Sequence, residues 1–187
     1  MKISAILLAA GLSRRMGTDK LMLEYKEKTL LQHALDLMSA LPVFERIIIT
    51  TDNRINKISL PYDIKQIVNR SPDCGQSLSI KLGIGSATGT HYLFMVADQP
   101  KLTVSDITAL ITSGKPDSIV YPQVNGVPCS PTLFPKAYQT DLLRLEGDMG
   151  GRVVRDANPL SCHIIIPENP DNFIDVDIID EYLEVVD

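Results

Sequence analysis

What this 187-residue chain lacks already removes several classes of protein. No apolar run is long enough for a bilayer. The most apolar stretch, Ile3 to Ala10, is broken by Ser4, ends at Gly11 and meets Arg14 and Arg15, whereas a spanning helix needs about 20 apolar residues. Neither a signal peptide nor a membrane anchor is expected, and the stretch reads as a first buried strand. Cysteine is scarce: Cys74, Cys129 and Cys162 are widely separated and form no Cys-x-x-Cys pair. A disulfide framework or zinc knuckle is therefore not expected, and a reducing cytoplasm is. His33, His91 and His163 are scattered without the Asp and Ser partners of a hydrolase triad. Positive charge is not in excess either. With 18 Lys and Arg against 23 Asp and Glu, the formal charge is −5, which argues against a general nucleic-acid surface but leaves room for a local basic phosphate pocket.

What is present is the mix of a soluble globule, 44% hydrophobic and 22% charged. Strand-like runs occur at Ile3–Ala9, Arg46–Thr51, Ile64–Val68, Tyr92–Ala97, Ser118–Tyr121 and His163–Ile166. Several are apolar nearly throughout, as a parallel sheet covered on both faces requires. Helical spacings separate them: Leu30, Leu31, Ala34, Leu35, Met38 and Leu41; then Ser77 to Ile84; then Val104, Ile107, Leu110 and Ile111, with Thr103 or Ser105 as caps. Ile178, Ile179, Tyr182, Leu183 and Val186 suggest a last helix. Alternating strand and helix predicts an α/β fold, a three-layer α/β/α doubly wound, Rossmann-like and mostly parallel sheet. Residues 1–187 are expected to form a single domain. Between Tyr121 and Pro135, four prolines and a glycine predict a functional loop with a short strand around Thr132–Phe134.

The segment Leu8-Ala9-Ala10-Gly11-Leu12-Ser13-Arg14-Arg15-Met16-Gly17-Thr18-Asp19-Lys20 follows the first strand directly. Successive backbone N–H groups there can form an anion-binding concavity. Gly11 and Gly17 permit tight turns, Arg15 brings a planar fork of donors, and Lys20 a point charge. The spacing fits neither a Walker A loop nor a Gly-x-Gly-x-x-Gly dinucleotide motif. Asp98 leaves a candidate central strand at its C-terminal end, the edge where open α/β sheets bind ligands, and Pro100 stops that strand. Asp175 and Asp177 alternate along Ile174-Asp175-Val176-Asp177, so an extended chain places both on one face. Asp98, Asp175 and Asp177 together are hard oxygen ligands suited to Mg²⁺.

Leu-Ala-Ala-Gly-x-Ser-x-Arg-Met-Gly-x-x-Lys, running from Leu8 to Lys20, resembles the signature of nucleotidyltransferases that activate a phosphorylated acceptor with an NTP. The likeness is to the molybdenum cofactor cytidylyltransferase family and its MobA-like relatives. It continues, in order, through Gly75-Gln76-Ser77-Leu78-Ser79, Asp98-Gln99-Pro100, Leu145 to Arg152, and Asp175-Val176-Asp177. The resemblance implies that the loop from Leu8, Ala9, Ala10 and Gly11 through Ser13 and Gly17 wraps the nucleotide. Arg15 and Lys20 then act on its phosphates, and with Asp98 they form the catalytic set. Asn69, Ser77 and Ser79 are implied near the nucleotide, with Gln76 behind them, although Ser77 could equally cap a helix. A metal carboxylate is implied in the pair Asp175 and Asp177.

The acceptor is implied to meet Gly126, Ser130 and Arg152. Relatives carry Gly-His-Pro where this chain has Cys129-Ser130-Pro131, so Ser130 keeps a hydrogen bond but loses an imidazole. Leu-Ala-Ala-Gly in place of Leu-Ala-Gly-Gly leans toward CTP as donor and leaves GTP open. The expected reaction moves CMP from Mg-CTP to molybdopterin or molybdenum cofactor, with a molybdoenzyme as onward partner and no nucleic acid or membrane involved. Another phosphorylated acceptor, or a non-catalytic cofactor carrier, stays open at this point.

Overall fold

The computed structural model describes residues 1–13 and 17–176. Arg15, Asp177 and the expected last helix over 178–186 lie outside the described residues. The chain runs β1 (Ile3–Leu8), β2 (Glu24–Tyr25), β3 (Lys28–Thr29), α1 (Leu30–Ala40), β4 (Glu45–Thr50), α2 (Asp52–Ile55) and β5 (Ile64–Val68). It continues with α3 (Gln76–Ser86), β6 (His91–Val96), α4 (Val104–Ser113), β7 (Ile119–Val124), β8 (Val127–Pro128) and β9 (Thr132–Pro135). α5 (Gln139–Leu143), α6 (Arg152–Asp156) and β10 (Cys162–Ile165) follow.

The main sheet has the order β10-β7-β9-β6-β1-β4-β5, with β8 paired to β7. β5, β4, β1 and β6 are mutually parallel, as are β7 and β10. β9 lies antiparallel between β6 and β7. Side chains alternate across each central strand. Ile3, Ala5 and Leu7 of β1, with Leu93 and Met95 of β6, face Leu31, Leu35 and Met38 of α1 and Ile107 and Leu110 of α4. Ile6, Ile47, Ile49 and Phe94 face the other way, onto Ile80 and Ile84 of α3, Leu142 of α5 and Val154 of α6. This is the expected three-layer arrangement. Each such side chain contributes about 1.5–3 kcal/mol on full burial. α3 lies so close to the sheet that a Cβ on Gly83 would fall 2.6 Å from Ile6 Cγ2.

Two expectations are revised. The stretch 121–135 is not a long loop: β7 runs on to Val124, turns at Asn125-Gly126 into β8, and β9 then enters the sheet. The prolines shorten these strands without preventing pairing, and Pro122 still uses its carbonyl to accept from Cys129 N–H at 2.9 Å. Residues 174–176 are not a strand. They follow a 3₁₀ turn at Pro170–Phe173, and Val176 N–H donates to Asp98 O at 2.9 Å.

At the opposite end of the sheet from the ligand edge, Glu45 accepts from Ser4 Oγ (2.5 Å), Thr88 N–H (2.5 Å) and Gly89 N–H (3.0 Å). Burial alone would raise the Glu45 pKa; the hydrogen bonds from Ser4, Thr88 and Gly89 outweigh it and hold the carboxyl below its usual value.

Candidate active site

A cavity of about 610 Å³ opens at the C-terminal ends of the parallel strands, the edge this sheet topology favours for ligands. A second, of about 380 Å³, adjoins it. Leu8, Val96, Ser130, Arg152 and Asp175 line both, so the two are lobes of one site.

The first lobe is built on the loop after β1. Leu8, Ala10, Gly11, Ser13 and Lys20 line it, with Ser79 from α3. Ala9 does not, because its N–H continues the sheet to Ile49 O at 2.8 Å. Gly17 is exposed, with φ +65, and lies off the wall. Lys20 N–H donates to Ser13 Oγ at 3.2 Å, closing the loop on itself. Lys20 Nζ lies 2.5 Å from Asp98 Oδ2, both side chains only about one-sixth exposed (15% and 16%). At such burial the pair is far stronger than a surface ion pair, and it keeps cation and carboxylate at one point.

Asn69 sits behind the wall. Its Nδ2 donates to Ser79 Oγ (3.1 Å) and its Oδ1 accepts from Ser71 N–H (2.9 Å), so it orients Ser79. Ser77 is buried and also off the wall. Its N–H donates to Gly147 O at 3.1 Å, which satisfies a free donor at the start of α3 from the acceptor side. Gly75 permits this approach. It has φ +83, and a Cβ there would stand 2.3 Å from the Gly147 carbonyl. Gln76 lines both lobes.

The second lobe has an apolar wall, including Ile80, Phe94, Phe134 and Pro128, faced by Arg152 and Arg155. Arg155 stacks on Tyr121, its guanidinium carbon 4.7 Å from the ring centroid, and its Nε donates to Asp156. Gly126 is at the exposed β7–β8 turn, away from either lobe. Cys129 lines the second lobe, and burial pushes its thiol pKa up.

Asp98-Gln99-Pro100 joins the two sides. Gln99 is buried, and its Nε2 donates to Ser130 O (3.1 Å) and Phe173 O (3.3 Å). With Val176 N–H on Asp98 O, this brackets Asp175 and delivers it to the cavity without a strand. Gln99 was not marked as a site residue by sequence reasoning, nor were Asp73 and Asp148, which line the first lobe. Gln99 and Asp148 lie inside the motifs Asp98-Gln99-Pro100 and Leu145 to Arg152, whereas Asp73, an exposed turn acid, carries no comparable signal.

A magnesium ion fits the residues described. Asp98 Oδ1 is buried and has no hydrogen-bond partner among them, and the Asp175 carboxylate lines the same cavity. Mg²⁺ commonly takes one or two carboxylates and completes its shell with phosphate and water. The described residues contain no cluster of three metal-ligating side chains.

A family model of the MobA-like NTP transferase domain matches residues 5–161. The chain belongs to this family. It is 30% identical over 186 residues to the molybdenum cofactor cytidylyltransferase of Escherichia coli K12, covering 97% of this chain and 94% of that one. It is 28% identical over 151 residues to a probable molybdenum cofactor guanylyltransferase of Rhodopirellula baltica, with 78% and 65% covered. The crystal structure of Rv0371c from Mycobacterium tuberculosis H37Rv in complex with manganese superposes with a TM-score of 0.84 at 20% identity, covering 100% of this chain and 98% of that one. That likeness concerns the fold. Fold and family together make this chain a nucleotidyltransferase. No helix among the described residues is long and apolar enough to cross a membrane.

Proposed function

We propose that this nucleotidyltransferase moves CMP from CTP to a phosphate-bearing pterin, molybdopterin or the molybdenum cofactor, and releases pyrophosphate. The observation that carries this reading is the two-lobed cavity, in which a glycine-bearing loop with Lys20 meets an apolar, arginine-bearing lobe across Asp98 and Asp175. CTP is favoured by the cytidylyltransferase relative, whose match spans nearly both chains, and by Ala10 on the wall at the position where Leu8-Ala9-Ala10-Gly11 departs from Leu-Ala-Gly-Gly. Matches to guanylyltransferases make GTP the rival donor.

The acceptor phosphate is its own nucleophile. A phosphate monoester has its second pKa at about 6 and is largely dianionic at neutral pH, so no side chain need be activated. Catalysis is then alignment and charge neutralisation. The first lobe holds the triphosphate, with the N–H groups of its loop and Lys20 taking charge as pyrophosphate leaves. Arg15 is assigned the same task. Arg152 steers the acceptor phosphate toward the α-phosphorus, with Gly126 and Ser130 shaping the acceptor loop. The apolar wall excludes water from the reacting atoms. Asp98 and Asp175, with Asp177 as a third candidate, would hold Mg²⁺; when bound, it neutralises phosphate charge and orients the oxygens. Residues 1–187 are proposed to act as a single cytoplasmic domain whose product passes to a molybdoenzyme.

The test is pyrophosphate release with each of the four NTPs against molybdopterin, molybdenum cofactor and simple sugar phosphates. Release with CTP and a pterin is the expected result. Release with GTP only, or with a sugar phosphate only, overturns the donor or the acceptor assignment respectively.

A further inference from the structure

Arg54 lies in the short helix α2, far in sequence from the nucleotide loop and absent from the cavity wall. Its side chain is nonetheless almost wholly buried, at 5% exposure. Among the described residues the guanidinium makes four hydrogen bonds, all to that loop. Nε and Nη2 grip the two oxygens of Asp19 at 2.8 Å each, Nη1 donates to Ala9 O at 2.6 Å, and Nη2 donates to Gly11 O at 2.6 Å. Ala9 and Gly11 begin the loop and Asp19 ends it, so one planar fork ties both ends together.

We propose that Arg54 is a positioning residue for the NTP phosphates, acting through the backbone of the loop. This rests on the reading that the Leu8–Lys20 loop takes the triphosphate. The reasoning is geometric. In a trans peptide the carbonyl and the following N–H point in opposite directions. With the Ala9 and Gly11 carbonyls turned onto Arg54, the N–H groups of Ala10 and Leu12 point away from it. Ala10 and Leu12 line the cavity and Arg54 does not, so these donors are set for an anion before it arrives. Such preorganised donors need no reorientation when charge binds. The bidentate pairing with Asp19 fixes the guanidinium in place behind them. Lysine cannot substitute: an ammonium has three donors around one point and cannot span a carboxylate and two carbonyls in one plane.

The test uses the full-length protein and inorganic tripolyphosphate, a probe indifferent to base and acceptor. Binding is followed by calorimetry and by the ¹H–¹⁵N shifts of Ala10 and Leu12, at a temperature well below each variant's Tm. In the wild type, both amides should shift on titration. Arg54→Lys should bind tripolyphosphate at least about tenfold more weakly, the scale of one lost charge-assisted bond, with the Ala10 and Leu12 shifts reduced. Asp19→Asn, milder because the carbonyl contacts remain, should fall between. In turnover, KM for the NTP should rise while KM for the acceptor stays put. A merely structural role lowers Tm and leaves tripolyphosphate affinity unchanged; that result in folded Arg54→Lys and Asp19→Asn overturns the Arg54 assignment alone. Absence of any amide shift in the wild type overturns it together with the nucleotide-loop reading.

Discussion

The lobe proposed for the nucleotide lies toward the parallel strands β5, β4, β1 and β6, whereas the lobe proposed for the acceptor lies toward β9, β7 and β10, where β9 runs against both its neighbours β6 and β7. On the first side several polar groups have fixed partners: the loop is tied by Arg54, Ser79 by Asn69, and Lys20 by Asp98. On the second, Arg152 and Asp148 are exposed, and Gly126 and Val127 project at a turn. Positions that must meet the same triphosphate in every turnover gain from being preorganised. The positions proposed to meet the acceptor lie on exposed turns, where sequence can vary without disturbing the core. The two sides are nevertheless joined, through Ser77 N–H donating to Gly147 O and Gln99 Nε2 donating to Ser130 O.

The sharpest way to break this contrast is at the point both sides share. Asp98→Asn keeps size and polarity but removes the charge that pairs with Lys20. It should leave Tm near wild type and cut pyrophosphate release by roughly 100-fold or more, as expected for several kcal/mol of charge stabilisation. Turnover at the wild-type rate across a Mg²⁺ titration contradicts the role given to Asp98.

A smaller effect should separate the sides. Lys20→Ala is expected to lower kcat/KM for the NTP at least about tenfold, since a hydrogen bond to a charged group is worth about 1.5–3 kcal/mol. Arg152→Ala should instead raise KM for the acceptor by about tenfold on the same scale and leave calorimetric NTP binding unchanged. If both variants alter the same constant, the division into donor and acceptor lobes is wrong.

The smallest effect should touch neither side. The Glu45 carboxyl is held below its ordinary value of 4.5 in the folded protein. Its stabilising contribution is therefore complete above that value and disappears as pH falls through the lower folded pKa. Glu45→Gln should lower Tm at pH 7, flatten the acid-side fall in Tm, and leave turnover unchanged well below the melting transition. A melting curve with wild-type pH dependence contradicts this.

The residues lining the lobe proposed for the donor were largely legible because their signals are local. A βα loop, its glycines and its lysine are contiguous in sequence, and Asp98 is marked by the apolar strand before it and Pro100 after it. The acceptor side was less so. Gly126 was assigned to the acceptor but lies off both lobes, while Arg155, which carries no motif of its own, lines one. Proline density suggested a loop where short strands pair, because strand pairing depends on neighbours that periodicity does not reveal.

The sequence by itself determined the layers and the ligand edge. Alternating apolar runs bury only as strands between helices, and a parallel sheet presents its loops at one edge. Tertiary structure alone decided three things. β9 was turned antiparallel between β6 and β7 by long-range pairing. Asp175 was brought beside Asp98 by Gln99 and by the Val176 N–H, not by a strand. And Arg54, unremarkable in its own segment, became the clamp of a loop more than 30 residues upstream. Local patterning carries burial and hydrogen-bonding demand, but which donor meets which acceptor is settled only when distant segments pack.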